Sequence, residues 1–168
     1  NLYIHTTGIF GHYSEYDLIL KGALQNNNHF FFNFGTLVMD GTNQSIKPNI
    51  GDYLNHLTIE PSGTTTFDHS LSDTLVINGD LVITSGVLNP ADQTILIKGN
   101  WTNNVGTGGF TEGSSRVIFD GSAHQYVLSN ETFNILEASM GAALRVNDAA
   151  HTVTCNSYDW RTGGIDVI

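Results

Sequence analysis

Eight short triplets, most of them apolar, recur along the chain about every nineteen residues, and most run into a polar residue followed by glycine. They are Leu18-Ile19-Leu20, Leu37-Val38-Met39, Leu57-Thr58-Ile59, Leu75-Val76-Ile77, Ile95-Leu96-Ile97, Val117-Ile118-Phe119, Leu136-Glu137-Ala138 and Val153-Thr154-Cys155. Counted at the third residue, the steps are 19, 20, 18, 20, 22, 19 and 17. A period near twenty built on strand-length units marks a solenoid, in which each unit can bury its apolar face only against its neighbours.

A longer repeat overlies the short one. Leu18-Ile19-Leu20-Lys21-Gly22 matches Ile95-Leu96-Ile97-Lys98-Gly99, and Leu37-Val38-Met39-Asp40-Gly41 matches Val117-Ile118-Phe119-Asp120-Gly121. Each of the latter pair precedes a Gln-centred strand, at Gln44 and at Gln125. Offsets of 77 to 80 make each long repeat four rungs, at approximately 18–94 and 95–168. Further strand pieces, such as Thr65-Thr66-Phe67 and Leu81-Val82-Ile83, lie between the triplets. The sequence therefore predicts an all-β fold, a single-stranded right-handed parallel β-helix (β-solenoid) of about eight rungs of 17–22 residues. Loop insertions are expected near 8–17, dense in aromatic and His residues, and near 100–114, rich in Gly and Asn. Both ends read as uncapped strands, so residues 1–168 are expected to be one segment of a longer protein.

Charge narrows the partners. Sixteen carboxylates against six Lys and Arg leave a net charge of -10. Such a surface repels phosphate backbones and anionic lipid, so neither nucleic acid nor membrane insertion is expected. The single cysteine, Cys155, forms no intramolecular disulfide and reads as a small inward hydrophobe.

If the first and third residues of each triplet face inward, the middle ones face out. Ile19, Val38, Val76, Leu96 and Ile118 would then line up as an aliphatic stripe, covered by neighbouring loops or domains or offered to another protein. Asp40, Glu60 and Asp120 share one recurrent position, and adjacent rungs at ~4.8 Å would bring Asp40 and Glu60 within the separation of a glycosidase pair. The same position is an ordinary post-strand turn. The seven histidines show no metal-ligand spacing. Calcium suits an acidic, Asn-rich chain, but no Asp-x-Asp-x-Asp-Gly loop occurs, so neither a metal site nor a cofactor is expected. Trp101, Tyr158 and Trp160 are the candidate carbohydrate contacts. Trp101 follows a strand, while Tyr158 and Trp160 alternate and so project to one side. Packing or covering an end of the solenoid is the competing role for all three.

The runs Gly99-Asn100-Trp101-Thr102-Asn103-Asn104, Arg116-Val117-Ile118-Phe119-Asp120-Gly121, Phe133-Asn134-Ile135-Leu136 and residues 75–88 resemble repeat modules of large secreted surface proteins of Bacteroidetes. That resemblance spans roughly 18–160, and its motifs are structural. It implies an extracellular or cell-surface β-helix exported by the type IX system, adhesin-like and without catalysis. It also makes Thr74, in Asp73-Thr74-Leu75, a candidate for O-glycosylation. The expected partners are neighbouring repeats or domains of the same chain, glycans, or another surface protein. A carbohydrate-binding module beside a polysaccharide-degrading enzyme is the first alternative. A fragment of a β-helical lyase or hydrolase is the second.

Overall fold

Strict alternation of apolar and polar residues over three or four positions makes a strand with one buried face. This chain repeats that pattern with only short turns between. In the computed structural model, which describes residues 1–146 and 151–167, every assigned element is a strand and every strand pairing is parallel. The chain winds through about seven turns of a β-solenoid, close to the eight rungs expected. At ~4.8 Å per turn this makes a rod of roughly 34 Å.

Each turn visits three faces in a fixed order. Face I stacks Leu2–Ile4, Leu24–Asn26, Gln44–Ile46, Thr64–Phe67 and Val87–Asn89, and continues through a bridge from Leu88 to Phe110. Face II begins with Ile9–His12 and His29–Phe32 and is carried on by the Phe31–Tyr53 and Leu54–Ile77 bridges. It then continues through Thr74–Ile77, Thr94–Ile97 and Arg116–Phe119. Face III stacks Leu18–Leu20, Thr36–Met39, His56–Ile59, Leu81–Ile83, Trp101–Asn103 and Gln125–Val127. The long strand Glu131–Val146 pairs with face II through Ile135–Ala138 and with face III through Leu144–Val146, which joins the two into one sheet. Val153–Val167 stacks on it as the last described strand.

The expectation of a single column of triplets is corrected by this register. The triplets at 18–20, 37–39 and 57–59 stack on face III, whereas those at 75–77, 95–97, 117–119 and 136–138 stack on face II. The triplet at 153–155 pairs with Glu131–Phe133 instead. The two shortest steps, 18 and 17, are where the triplets change face. Each of these steps spans two faces instead of three. For the same reason the long repeat is not four rungs. From Leu18–Leu20 to Thr94–Ile97 the chain advances eleven strand positions, or three and two-thirds turns, so the second copy is rotated by one face. Both predicted insertions also contain strand: Ile9–His12 lies in the first, and Trp101–Asn103 in the second. Cys155 lies in register with the buried Phe133, on the inward side as expected, but it is exposed because no described residue stacks beyond it.

What the two long repeats share is corner chemistry. The Gln44 amide donates to the Leu20 and Gly22 carbonyls at 2.8 and 2.7 Å, and its oxygen accepts the Gly41 N–H at 2.8 Å. Gln125 does the same with Ile97, Gly99 and Gly121. Corner backbone groups have no ladder partner, and leaving them buried and unpaired is costly. Most other inward positions are apolar, with Leu37, Leu57, Leu75, Leu81, Ile95, Ile97 and Phe119 fully buried. Gly35 turns the chain from face II to face III at φ +65°, where a Cβ would meet the Tyr16 and Ser14 carbonyl oxygens.

Asn26, Asn103 and Glu131 are inward polar residues with hydrogen-bond partners. Thr65 is inward without one: it is fully buried and its hydroxyl has no hydrogen-bond partner among the described residues. Thr65→Val is expected to raise stability by about 1 kcal/mol, since it removes an unpaired buried hydroxyl at constant shape. Gln125→Leu is expected to lose roughly 1–3 kcal/mol by stranding two carbonyls and an N–H. Chemical denaturation of the two variants checks both signs.

Candidate functional site

Trp101 opens a face III strand with an alternating buried pattern, and its register partner Leu81 is a core residue. Its indole is fully buried, in edge-to-face contact with Phe110 at 4.9 Å and Phe133 at 5.2 Å. The indole N–H donates to Glu131 Oε2 at 2.8 Å, which also accepts from Asn103 Nδ2 at 2.9 Å. The Thr132 N–H donates to Glu131 Oε1 at 3.0 Å. No face of Trp101 is left for a sugar, so the expectation of carbohydrate contact at Trp101 is corrected: inward alternation, not a loop, places this ring. Burial pushes the Glu131 carboxyl up from its ordinary range, and the bonds from Asn103, Trp101 and Thr132 oppose that only in part.

Tyr158 and Trp160 do project to one side. That side is the core side, because they pair with Leu136 and Ala138, both buried. They continue the inward columns Leu75–Ile95–Val117–Leu136 and Ile77–Ile97–Phe119–Ala138 onto the last described strand. Trp160 is 61% exposed because no described residue stacks beyond it. Trp101 lies on a different face and turn, so the three expected sugar contacts do not converge.

The aliphatic stripe divides in the same way as the triplets. Ile19 and Val38 pair on face III, where Ile19 is 57% exposed and Val38 is covered. Val76, Leu96 and Ile118 form a column on face II and are half-buried. Thr74 is also half-buried, at the edge of that face, in line with Thr94 and Arg116. The column continues through Glu137 to Asp159, and Glu137 is ion-paired with Arg116 and, at 2.9 Å, with Arg161 Nε.

In the other direction the face II column becomes aromatic. Gly11 pairs with Phe31, Phe31 bridges to Tyr53, and Tyr53 precedes the Leu54 that bridges to Ile77. The Phe31 and Tyr53 rings are 5.3 Å apart. The Tyr53 hydroxyl donates to Asn33 Oδ1 at 2.7 Å, which fixes the ring's tip. A Cβ at Gly11 would collide with the Tyr13 ring, so Tyr13 fills Gly11's place at the head of the column. Tyr13 is 72% exposed. Below this column, the buried Asp52 carboxylate accepts from His29 Nδ1 at 2.9 Å, the Phe30 N–H at 3.2 Å and the Asn49 N–H at 2.7 Å. Burial pushes the Asp52 carboxyl up, against these bonds. The signal for this platform lay in Phe30-Phe31-Phe32, where two buried rings force the middle one outward.

Asp40 and Glu60 occupy adjacent turns and line one open polar groove with Lys21, Thr42, Ser62 and Ser85. Asp40 is ion-paired with Lys21. Asp120 follows the Arg116–Phe119 strand on face II and is not in their column. Among the described residues no group of three or more His, Cys, Asp or Glu could hold a metal ion.

No family model, curated protein or solved structure matches the chain.

Two outcomes test the assignment of Trp101 and Glu131 to the core. Trp101→Ala is expected to lose about 3–5 kcal/mol of stability, read by denaturant midpoint. The native Glu131 carboxyl holds its proton more tightly than the unfolded chain does. Its contribution to stability is thus fully present below the ordinary value of 4.5 and lost as pH rises through the raised native value. Glu131→Gln should match the wild type near pH 4 and gain on it toward pH 7 in thermal melts at each pH.

Proposed function

We infer that this chain is a structural and adhesive module of an extracellular or cell-surface protein, a short stiff rod that spaces or attaches and does no chemistry of its own. The observation that carries this reading is the parallel ladder between successive turns. Strands on three faces, most of them hydrogen-bonded to the turn before, surround one continuous apolar core, and bending or stretching such a rod breaks many bonds together. Function on this scaffold resides on outward columns, which the ladder holds in fixed order. The acidic surface suits a molecule that stays dispersed and repels anionic partners. The resemblance to repeat modules of secreted Bacteroidetes surface proteins supports the same reading, including type IX export. Its partners are neighbouring repeats or domains, glycans, or a second surface protein. As for the lyase or hydrolase alternative, Asp40 and Glu60 share an open polar groove in which Asp40 is ion-paired with Lys21.

Antibody raised against the module is expected to label intact cells of the organism that makes it, without permeabilisation. Deleting the module from the full-length protein should weaken attachment of those cells to their natural substratum. Labelling only after permeabilisation would overturn the placement at the surface.

A further inference from the structure

The outward aromatic column of face II has the chemistry of a sugar-binding platform. Two directions cross at Phe31. Along the rod, Tyr13, Phe31 and Tyr53 occupy one column over three consecutive turns, with Phe31 and Tyr53 5.3 Å apart. Across the rod, His29, Phe31 and Asn33 alternate on the outward side of one extended segment, so the central ring has a polar group on either side. Their roles are distinct. His29 Nδ1 is committed to Asp52, whose Oδ1 also accepts from the Phe30 N–H, and this leaves Nε2 as the ring nitrogen free for a ligand. Asn33 spends its carbonyl oxygen on the Tyr53 hydroxyl, and its amide N–H groups have no partner among the described residues.

We propose that Tyr13, Phe31 and Tyr53, with His29 and Asn33 beside them, bind a neutral linear glycan lying along the rod. The proposal rests on the module's being an attachment device, and it names what is attached to. A pyranose ring presents an apolar C–H face to an aromatic ring and hydroxyls around its rim, which both donate and accept. A linear glycan repeats that face at a spacing comparable to the turns of the rod. Phe31 and Tyr53, already held by the ladder, the Asn33 tie and the His29–Phe31 stack at 5.9 Å, lose little freedom on binding. Charge selects further. None of these five residues is a Lys or Arg, and the chain as a whole carries -10, so an anionic polysaccharide is disfavoured. The platform is one side chain wide between polar neighbours, too narrow for the roughly 800 Å² per partner of a stable protein interface.

Affinity electrophoresis through gels containing soluble β-glucan, xylan, galactomannan or, as the anionic control, alginate tests this directly. The wild type is expected to be retarded by at least one neutral polysaccharide and not by alginate. Tyr13→Ala, in an exposed loop, and Phe31→Ala should each weaken that retardation about tenfold in Kd, while Trp160→Ala leaves it unchanged. Far-UV circular dichroism and melting of each variant separate lost binding from lost fold, and Tyr13→Ala carries the test if Phe31→Ala unfolds. No retardation by any neutral glycan would overturn the proposal. So would retardation by alginate alone, retardation equal in wild type and Tyr13→Ala, or self-association of the wild type in sedimentation equilibrium that Phe31→Ala abolishes. Surface labelling of cells is independent of these variants, so a failure here leaves the attachment reading standing.

Discussion

Everything in this structure depends on the parallel hydrogen-bonded ladder between successive turns. Once each strand pairs with the strand one turn earlier, every inward side chain meets a counterpart above and below, and every outward one joins a column. A turn cannot bury its face alone, so the folding unit is the stack. The core is accordingly continuous, running from Ile4 and Leu24 to Phe133 and Leu144 without a change in character.

Corners are where the ladder fails, and there the chain uses buried polar side chains. Gln44 and Gln125 satisfy backbone groups at equivalent corners, while Asp52 and Glu131 each gather several donors into the interior. Both carboxyls hold their protons more tightly as a result, since burial outweighs the bonds they accept. These groups locate the turns, and they also anchor neighbours. Asp52 fixes the His29 ring beside Phe31, and Glu131 fixes the Trp101 indole in the core.

The surface follows from the same geometry. A column on face II changes along the rod from aromatic (Tyr13, Phe31, Tyr53) to aliphatic (Val76, Leu96, Ile118) and continues into the Arg116–Glu137–Arg161 charges. No single segment contains this column. It is assembled from seven turns' worth of residues far apart in sequence, so no local motif contains it.

The class of fold, the inward first and third residues of the triplets and the recurrence of Gln44 at Gln125 were legible in the sequence alone, because these follow from local periodicity and from repeats of the same residues; what the two glutamines bond was not. The sequence could not determine which strands share a face. A beat counts residues, whereas a column depends on how many corners lie between them. Steps of 18 and 17 that cross two faces look much like steps of 19 that cross three. The stripe joining Ile19 to Ile118 therefore split, and Phe31 and Tyr53 took the places expected of Ile19 and Val38. Trp101 read as a loop residue because its neighbours are Asn and Gly, and only the tertiary register placed it over Leu81 in the core. Tyr158 and Trp160 alternate as expected. That their shared side is the inward one was decided by pairing with Leu136 and Ala138, which no local pattern encodes.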